Sequence, residues 1–255
     1  MWSSAILALA VARLADAGVS TIGVGSNFAC ALSHGGVSCW GTGTDGQVGN
    51  GAFVNLAGRS MVVGLGDDVT SVSVGHTHAC AVVVNGSAYC WGNNWDGQLG
   101  NGLTMEKQSA PVQVIGVANV SYIAAGVLHT CLITSTGTAY CFGHGAIGQL
   151  GIDSLVSSAA PQAVVGFTEP VIAISAGMYH TGAVTSSGAA YCWGGYLSGR
   201  LGTGDAANQL TPKPVIGLGT NVIDISAGQD HTCAVVSNGT AYCWGYVFEG
   251  ALGVG

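Results

Sequence analysis

Short stretches in which apolar and polar residues alternate run along most of this chain, and glycine-containing turns separate them. Residues 222–228 read VIDISAG, and the segments HTCAVVS (231–237) and TAYCWG (240–245) follow with similar alternation. An alternation of period two over a few residues predicts a β-strand with one buried face. The sequence is therefore predicted to fold mainly as short strands joined by tight turns.

The strand pattern recurs with a period of 51 residues. A glycine-framed turn follows at the same point of each repeat, as GQVG at 46–49 and GQLG at 97–100. Self-similarity at a fixed period of this length indicates a repeat architecture in which neighbouring units share a core. We predict five units with approximate bounds 18–68, 69–119, 120–170, 171–221 and 222–255. The aromatic residue that precedes a glycine in each unit is, in order, Trp40, Trp91, Phe142, Trp193 and Trp244.

Each unit is predicted to contain four strands. The fourth is predicted at segments such as PVQVIG (111–116) and PKPVIG (212–217), where a proline at the start suits the outer edge of a sheet. The loop before this strand varies in sequence, and such loops usually carry function. Four strands in about 50 residues, repeated, are typical of a propeller blade. The predicted fold class is all-β: a single domain, 1–255, forming a β-propeller of four-stranded blades with five repeats visible.

The repeated motifs G-x-x-H-T-C-A and Y-C-W-G-x-x-x-x-G-Q-L-G resemble the repeats of the regulator of chromosome condensation family. The resemblance extends from about Val19 to the end of the chain. It implies a propeller, for which the family precedent is seven blades, so the blade count of a closed ring stays open. It also implies one candidate activity, guanine-nucleotide exchange on a small GTPase. The motif is specific for the fold and not for the function, because propellers carry unrelated sites.

The cysteines follow the repeat and are predicted to form disulfides within hairpins. Residues directly opposite each other on antiparallel strands bring their Cβ atoms near disulfide distance. The first hairpin is one residue shorter than the others, yet a two-residue loop at His34–Gly35 keeps its cysteines opposite each other. The alternative is a set of reduced, buried thiols. The predicted pairs are Cys30–Cys39, Cys80–Cys90, Cys131–Cys141 and Cys233–Cys243.

Cys192 is predicted to be a free thiol, because Gly182 stands where the other units have the first cysteine of the pair. Zinc is disfavoured because the cysteines lack the short C-x₂-C spacing of structural zinc sites. Disulfides favour an oxidising compartment, so a secreted or extracellular protein is expected, with a cytoplasmic one as the alternative. Residues 1–17 are either a signal-like segment or a strand that closes the ring, since 9–14 match the phase of SMVVGL at 60–65.

Composition excludes several classes of partner. Only 7% of the residues are charged, the formal net charge is −7, and there are five Lys or Arg. Nucleic-acid binding normally needs a basic patch, so DNA and RNA partners are disfavoured. The longest apolar stretches fall short of the roughly 18 to 20 residues that span a bilayer, so no membrane span is expected.

A histidine recurs at one phase of the repeat, with Phe28 in its place in the first unit. A ring of imidazoles could bind a metal or an anion in a central channel. We favour a structural role instead, in which each histidine bonds a neighbouring backbone carbonyl. A residue that recurs from blade to blade usually meets a structural requirement that the blades share. The histidines are His78, His129, His180 and His231.

Three features break the repeat: the Gly182/Cys192 pair, Trp95 and Arg200. Trp95 and Arg200 are candidate interaction residues. Tryptophan often anchors interfaces, but for Trp95 we favour the alternative that the side chain folds back onto its own blade. The recurring aromatics are expected to wedge between adjacent blades. No nucleophile with a base, no phosphate-binding loop and no carboxylate pair is visible, so no cofactor, metal or enzyme activity is expected.

The sequence therefore predicts a non-catalytic scaffold, secreted or at the cell surface, that presents loops on one propeller face to an unknown protein or glycan and is itself a monomer. Two alternatives are an intracellular guanine-nucleotide exchange factor and a propeller-type enzyme inhibitor, resembling the β-lactamase inhibitor propellers. Release of nucleotide from a panel of GTPases would favour the exchange factor.

Intact mass with and without reduction, after alkylation of free thiols, tests the cysteine assignment. We expect one alkylated cysteine, Cys192, and four intact disulfides in the natively produced protein. Nine alkylated cysteines would contradict the disulfide prediction and favour an intracellular protein.

Overall fold

The computed structural model of the protein describes residues 18–247 and 250–253. The predicted signal-like or ring-closing segment, 1–17, lies outside the described residues. The described part contains 19 β-strands and one short 3-10 turn, Leu197–Gly199. It is an all-β propeller whose strands group into five sheets, which we call blades 1 to 5.

Blades 1 to 4 each contain four antiparallel strands in sequence order, and the described part of blade 5 contains three. Blade 1 contains β1 (Val19–Val24), β2 (Phe28–Ser33), β3 (Gly36–Gly41) and β4 (Leu56–Met61). Blade 2 contains β5 (Val69–Val74), β6 (His78–Val83), β7 (Ala88–Asn94) and β8 (Glu106–Gln113). Blade 3 contains β9 (Val120–Ala125), β10 (His129–Thr134), β11 (Ala139–Gly143) and β12 (Ser158–Ala163). Blade 4 contains β13 (Val171–Ala176), β14 (His180–Thr185), β15 (Ala190–Gly194) and β16 (Gln209–Pro214), and blade 5 contains β17 (Val222–Ala227), β18 (His231–Val236) and β19 (Ala241–Gly245).

The fourth strand begins earlier than the sequence indicated. It spans 106–113 in blade 2 and 209–214 in blade 4, so Pro111 and Pro212 lie within the strand instead of at its start. The fourth strand is the outermost of its sheet, and the missing proline N–H costs least at such an edge. The strand begins with polar residues, so the alternation of apolar and polar positions did not show where it starts.

The central hairpins have the predicted register. In blade 1, Ser33 pairs with Gly36 across a two-residue loop, and His34 and Gly35 have φ values of 50° and 79°. Two consecutive positive φ values are typical of the type I′ turn, whose twist matches that of the flanking strands. In blade 5 the loop is one residue longer, and Val236 N–H donates to Thr240 O at 2.9 Å.

The core lies in the seams between blades. One buried cluster combines residues of blade 1 with Val72, Ala79 and Trp91 of blade 2, and similar clusters join each later pair of blades. The inner strand of each of blades 2 to 5 supplies a buried aliphatic residue that packs on the preceding blade. These residues are Val72, Ile123, Ile174 and Ile225, each less than a tenth exposed.

In blade 1 the residue at the equivalent position of the inner strand faces solvent instead of a neighbouring blade. Ile22 pairs with Ala31 as Ile225 pairs with Ala234, yet the Ile22 side chain is 53% exposed. The difference arises because no described blade precedes blade 1. The described blades therefore form a row with two unlike ends.

Backbone hydrogen bonds join successive blades around the axis. They run from Ser26 N to His76 O, from His76 N to Gly126 O and from Val127 N to Gly177 O, each at 3.1 Å. Within the described residues, no corresponding bond runs from blade 5 to blade 1. The ends of all five inner strands line a common cavity of about 270 Å³ at the axis.

Glycines of the loop turns allow the next blade to approach closely, which gives a testable prediction. A Cβ at Gly97 would lie 2.5 Å from Ala159 Cα, whereas a Cβ at Gly199, at the same phase of blade 4, would meet nothing within 4 Å. Both glycines have positive φ, 87° and 73°. We expect Gly97→Ala to lower the free energy of unfolding by about 1–3 kcal/mol more than the matched Gly199→Ala, because only the former overpacks a seam. Urea unfolding of both variants tests this, and equal losses would contradict it.

Candidate functional site

In each loop turn of blades 1 to 4, one backbone carbonyl accepts hydrogen bonds from side chains of the next blade. It belongs to the residue after the first glycine of the turn, which is a glutamine in blades 1 to 3 and Arg200 in blade 4. The donors are a tryptophan ring N–H, a threonine hydroxyl, or both, from the following blade. The bonds are Trp91 Nε1 to Gln47 O (2.9 Å), Thr130 Oγ1 to Gln98 O (2.8 Å), Thr181 Oγ1 and Trp193 Nε1 to Gln149 O (2.8 and 3.0 Å), and Thr232 Oγ1 and Trp244 Nε1 to Arg200 O (2.8 and 2.9 Å).

Each of these seams keeps at least one donor. Blade 2 has Ala79 in place of the threonine and uses Trp91, whereas blade 3 has Phe142 in place of the tryptophan and uses Thr130. The recurring aromatics thus lie between blades. Trp91, Phe142 and Trp193 are fully buried, and the aromatics of the two terminal blades, Trp40 and Trp244, are half-buried.

Three of the four recurring histidines bond threonine hydroxyls across the seams, and no described blade follows the fourth, His231. His78 Nε2 lies 2.8 Å from Thr130 Oγ1, and the equivalent distances are 2.9 Å for His129 to Thr181 and 2.8 Å for His180 to Thr232. The expected partner was a backbone carbonyl, and this detail was wrong. The hydroxyl stands between the ring and the carbonyl: it donates its hydrogen to the carbonyl and therefore accepts from Nε2–H.

These three histidines are neutral and closed to ligands. Burial lowers the pKa of His78, His129 and His180 to about 3, and neighbouring positive charge adds to the effect. Their Nδ1 atoms have no hydrogen-bond partner among the described residues. The same part of the chain contains no group of three or more His, Cys, Asp or Glu placed to hold a metal ion.

Four disulfides lie within the hairpins, joining Cys30 to Cys39, Cys80 to Cys90, Cys131 to Cys141 and Cys233 to Cys243. Each lies on the face of its blade that points toward the next blade. The first three are fully buried there, and the fourth, on the last described blade, is half-buried.

Cys192 is a free thiol buried in the seam between blades 4 and 5. Burial raises its pKa well above the ordinary value for a thiol. A Cβ at Gly182, the residue opposite, would lie 2.8 Å from Ile225 Cδ1 and 3.6 Å from Cys192 Sγ. In this seam the side chain of Ile225 therefore occupies the space that the Cβ of a cysteine at position 182 would need.

Arg200 is not an exposed interaction residue, and that prediction was wrong. Its side chain is 3% exposed, Nε donates to Leu197 O at 2.8 Å, and the guanidinium forms an ion pair with Asp230 of blade 5 at 2.8 Å. At this seam an arginine replaces the glutamine of the other turns. Its buried guanidinium needs a charged partner, and the carboxylate of Asp230 supplies the negative charge.

The loops between the third and fourth strands form one face of the propeller, which we call the loop face. Antiparallel strands in sequence order place this loop and the loop between the first two strands on the same face. Trp95 lies on the loop face of blade 2 and is 50% exposed. This exposure fits the interaction role, which is the alternative to folding back onto its own blade, and that role stays a prediction.

Further exposed apolar residues on the loop face were missed in the sequence. Val54, Met105 and Val156 occupy one phase of three successive blades and are 48%, 67% and 66% exposed. Their equal spacing was the signal that could have identified them. Their neighbours on these loops, Phe53, Leu103 and Leu155, and Leu197 in blade 4 are also exposed.

The charged residues of these loops are mostly acidic. Asp96, Asp153 and Asp205 lie on the loops of blades 2 to 4. In blade 1, Asp45 forms an ion pair with Lys107 of the next blade. The loop face thus combines a row of apolar side chains with negative charge.

The blades and their shared seams define a β-propeller built from one repeat. The chain belongs to the RCC1-like domain family, whose model matches residues 7–255. It is 33% identical over 244 residues to the Ultraviolet-B receptor UVR8 of Arabidopsis thaliana, an alignment that covers 93% of this chain and 55% of the receptor. It is 32% identical to the human probable E3 ubiquitin-protein ligase HERC3 over 73% of this chain and 18% of the ligase.

Solved structures agree with the fold. The crystal structure of human WBSCR16 matches with a TM-score of 0.77 and 28% identity, covering 85% of this chain and 57% of that one. Yeast RCC1 (Prp20), solved bound to Kap60, matches with a TM-score of 0.82 and 23% identity over 93% of this chain and 58% of that one. The chain spans little more than half the length of UVR8 and of these two solved chains.

The described residues contain no helix long and apolar enough to cross a bilayer.

The neutral histidines predict acid sensitivity. The unfolded chain protonates histidine near pH 6.5, whereas the folded chain does so near pH 3, so the unfolded state binds more protons between these values. The free energy of unfolding should therefore fall as pH falls through this window, by up to about 1.4 kcal/mol per pH unit for each buried histidine. Phe28 occupies this phase in blade 1, so His129→Phe is the matched substitution. Urea unfolding from pH 7 to pH 4 should show a shallower dependence in the variant; equal slopes would contradict the assignment.

Proposed function

We propose that the protein is a non-catalytic interaction module that binds a partner protein through its loop face. The observation that carries this proposal is the row formed by Val54, Met105 and Val156, exposed apolar residues at one phase of the variable loops in blades 1 to 3. Exposed apolar side chains concentrated on one face often mark an interaction site on soluble proteins. Trp95 extends the row, and the acidic residues beside it favour a partner surface that carries basic side chains.

We propose an oxidising, extracellular environment for this module. The four hairpin disulfides support it, because disulfides persist mainly outside reducing compartments. The exchange-factor and enzyme-inhibitor alternatives depend on the resemblance alone, since the match to yeast RCC1 at 23% identity bears on the fold only.

A comparison of two surface variants tests the loop face. The combined variant Val54→Asp, Met105→Asp and Val156→Asp changes the apolar row, and Val63→Asp, Val84→Asp and Val165→Asp places the same charges on exposed positions outside it. Both proteins are immobilised beside the wild type, exposed to secreted proteins of the source organism, and the retained proteins are quantified by mass spectrometry. We expect the first variant to retain at least about tenfold less of a specific partner, equivalent to about 1.4 kcal/mol, and the second to retain wild-type amounts.

Equal retention by all three proteins, with unchanged melting temperatures, would exclude the loop face as the binding surface. Nucleotide release from a small GTPase, undiminished in both variants, would favour the exchange factor instead.

A further inference from the structure

The turns between the second and third strands lie on the face opposite the loop face. Antiparallel strands in sequence order put these hairpin turns, and the segments that join successive blades, on that face. In blades 2 and 5 the turn contains Asn-x-Ser/Thr, the tripeptide that marks an acceptor for N-linked glycans, as Asn85-Gly86-Ser87 and Asn238-Gly239-Thr240. A third copy, Asn119-Val120-Ser121, lies on the same face where β9 begins.

The hairpin turn itself does not require asparagine. In each of blades 2 to 5 the turn glycine donates its N–H to the carbonyl three residues earlier, at 2.8 to 2.9 Å. The residue before that glycine is asparagine in blades 2 and 5, but it is Thr136 in blade 3 and Ser187 in blade 4. The same backbone turn thus forms with three different types of residue at this position.

The side-chain amides of Asn85 and Asn238 use only their oxygen within the turn. Asn85 Oδ1 accepts from the N–H of Ser87, and Asn238 Oδ1 accepts from the N–H of Thr240, both at 2.9 Å. Their Nδ2 atoms make no hydrogen bond to any described residue, and both asparagines are exposed. The nitrogen to which a glycan would be attached is therefore open to solvent, while the oxygen holds the turn.

The hydroxyls two residues after these asparagines have no structural partner in the described part of the chain. Ser87 Oγ and Thr240 Oγ1 form no hydrogen bond there, and blade 4 makes the same turn with Ala189 at this position. In blade 3, by contrast, the hydroxyls of Thr138 and Thr136 lie 3.3 Å apart. A hydroxyl without a partner thus follows the turn glycine only where asparagine precedes it, and this pair of residues is what an N-glycosylation acceptor requires.

The third copy of the tripeptide is held within the sheet. Ser121 Oγ donates to Ile133 O at 3.1 Å, and Val120 is 4% exposed in the seam. Asn119 O accepts from the N–H of Ser135 at 2.8 Å. An enzyme that binds this tripeptide would have to pull the start of β9 out of its sheet, whereas an exposed turn can be engaged without unfolding. Asn119 is therefore an internal comparison for the two hairpin turns.

We propose that Asn85 and Asn238 are N-glycosylation sites, each carrying an oligosaccharide on the face opposite the loop face, where it leaves the apolar row uncovered. Attachment forms a bond between Nδ2 and the anomeric carbon of the first sugar, which is transferred from a lipid-linked oligosaccharyl diphosphate. The bond from that carbon to the diphosphate oxygen breaks, the lipid diphosphate leaves with the electron pair, and the amide loses one proton. This proposal rests on the extracellular environment proposed above, because the transfer takes place in the secretory pathway.

Peptide mapping of the natively produced protein tests the two sites. Enzymatic removal of N-glycans in heavy-oxygen water leaves isotope-labelled aspartate at each glycosylated position, which distinguishes it from earlier spontaneous deamidation of the Asn-Gly pairs. We expect the label at Asn85 and Asn238 and not at Asn119. Unlabelled residues at both hairpin turns would overturn the proposal, and equal labelling of Asn119 would overturn the role assigned to the turn geometry.

A matched pair of substitutions separates the glycan from the turn. Thr240→Ala removes the hydroxyl of the blade 5 acceptor and keeps Asn238, whereas Thr138→Ala makes the same change in blade 3, where Thr136 stands in place of the asparagine. When both variants are secreted in the same way as the wild type, only Thr240→Ala should lose one glycan from its intact mass. An unchanged glycan content in Thr240→Ala would contradict the assignment of Asn238.

The state of the cysteines separates this proposal from the environment on which it rests. Four disulfides in a protein without glycans would overturn the glycosylation sites and leave the extracellular environment supported. Nine free thiols in a protein without glycans would overturn both.

Discussion

The backbone carbonyl at the second position of each loop turn is the acceptor on which the stacking of the blades depends. A buried carbonyl without a donor would cost about 1–3 kcal/mol, so each seam must supply at least one. Blade 2 supplies the ring N–H of Trp91, blade 3 supplies the hydroxyl of Thr130, and the later blades supply both. This requirement explains why the aromatic and the threonine vary while the turn itself is retained. Neither donor is needed in every blade, but one of the two is.

The histidine follows from the same requirement. Once the threonine hydroxyl has given its hydrogen to the carbonyl, its lone pairs need a donor, and the ring nitrogen of the preceding blade supplies one at 2.8 to 2.9 Å. Where the next blade has Ala79 instead of threonine, the preceding blade has Phe28 instead of histidine. The two residues therefore change together across the seam. The histidine belongs to the packing of the propeller, and the loops are left free to differ from blade to blade.

The repeat made the fold predictable, because 51-residue spacing and glycine turns fix the number and order of strands without any long-range information. The opposition of the cysteines across the hairpins also followed from loop length. Other features depend on contacts between units, which local patterns do not carry. The hydroxyl that intervenes between His129 and its carbonyl comes from blade 4, and the ion pair that buries Arg200 comes from Asp230 of blade 5. Val54, Met105 and Val156 were overlooked because an apolar residue in a loop has no periodic neighbours within its own unit.

Blade 4 differs from the other blades in one respect that bears on how the propeller comes apart. Its hairpin has no covalent bridge, and the thiol of Cys192 lies beneath Ile225 of the following blade with no exposed surface. A reagent can reach that sulfur only when blades 4 and 5 separate or when blade 4 itself opens. The rate at which the thiol is labelled under native conditions therefore measures how often this one seam opens.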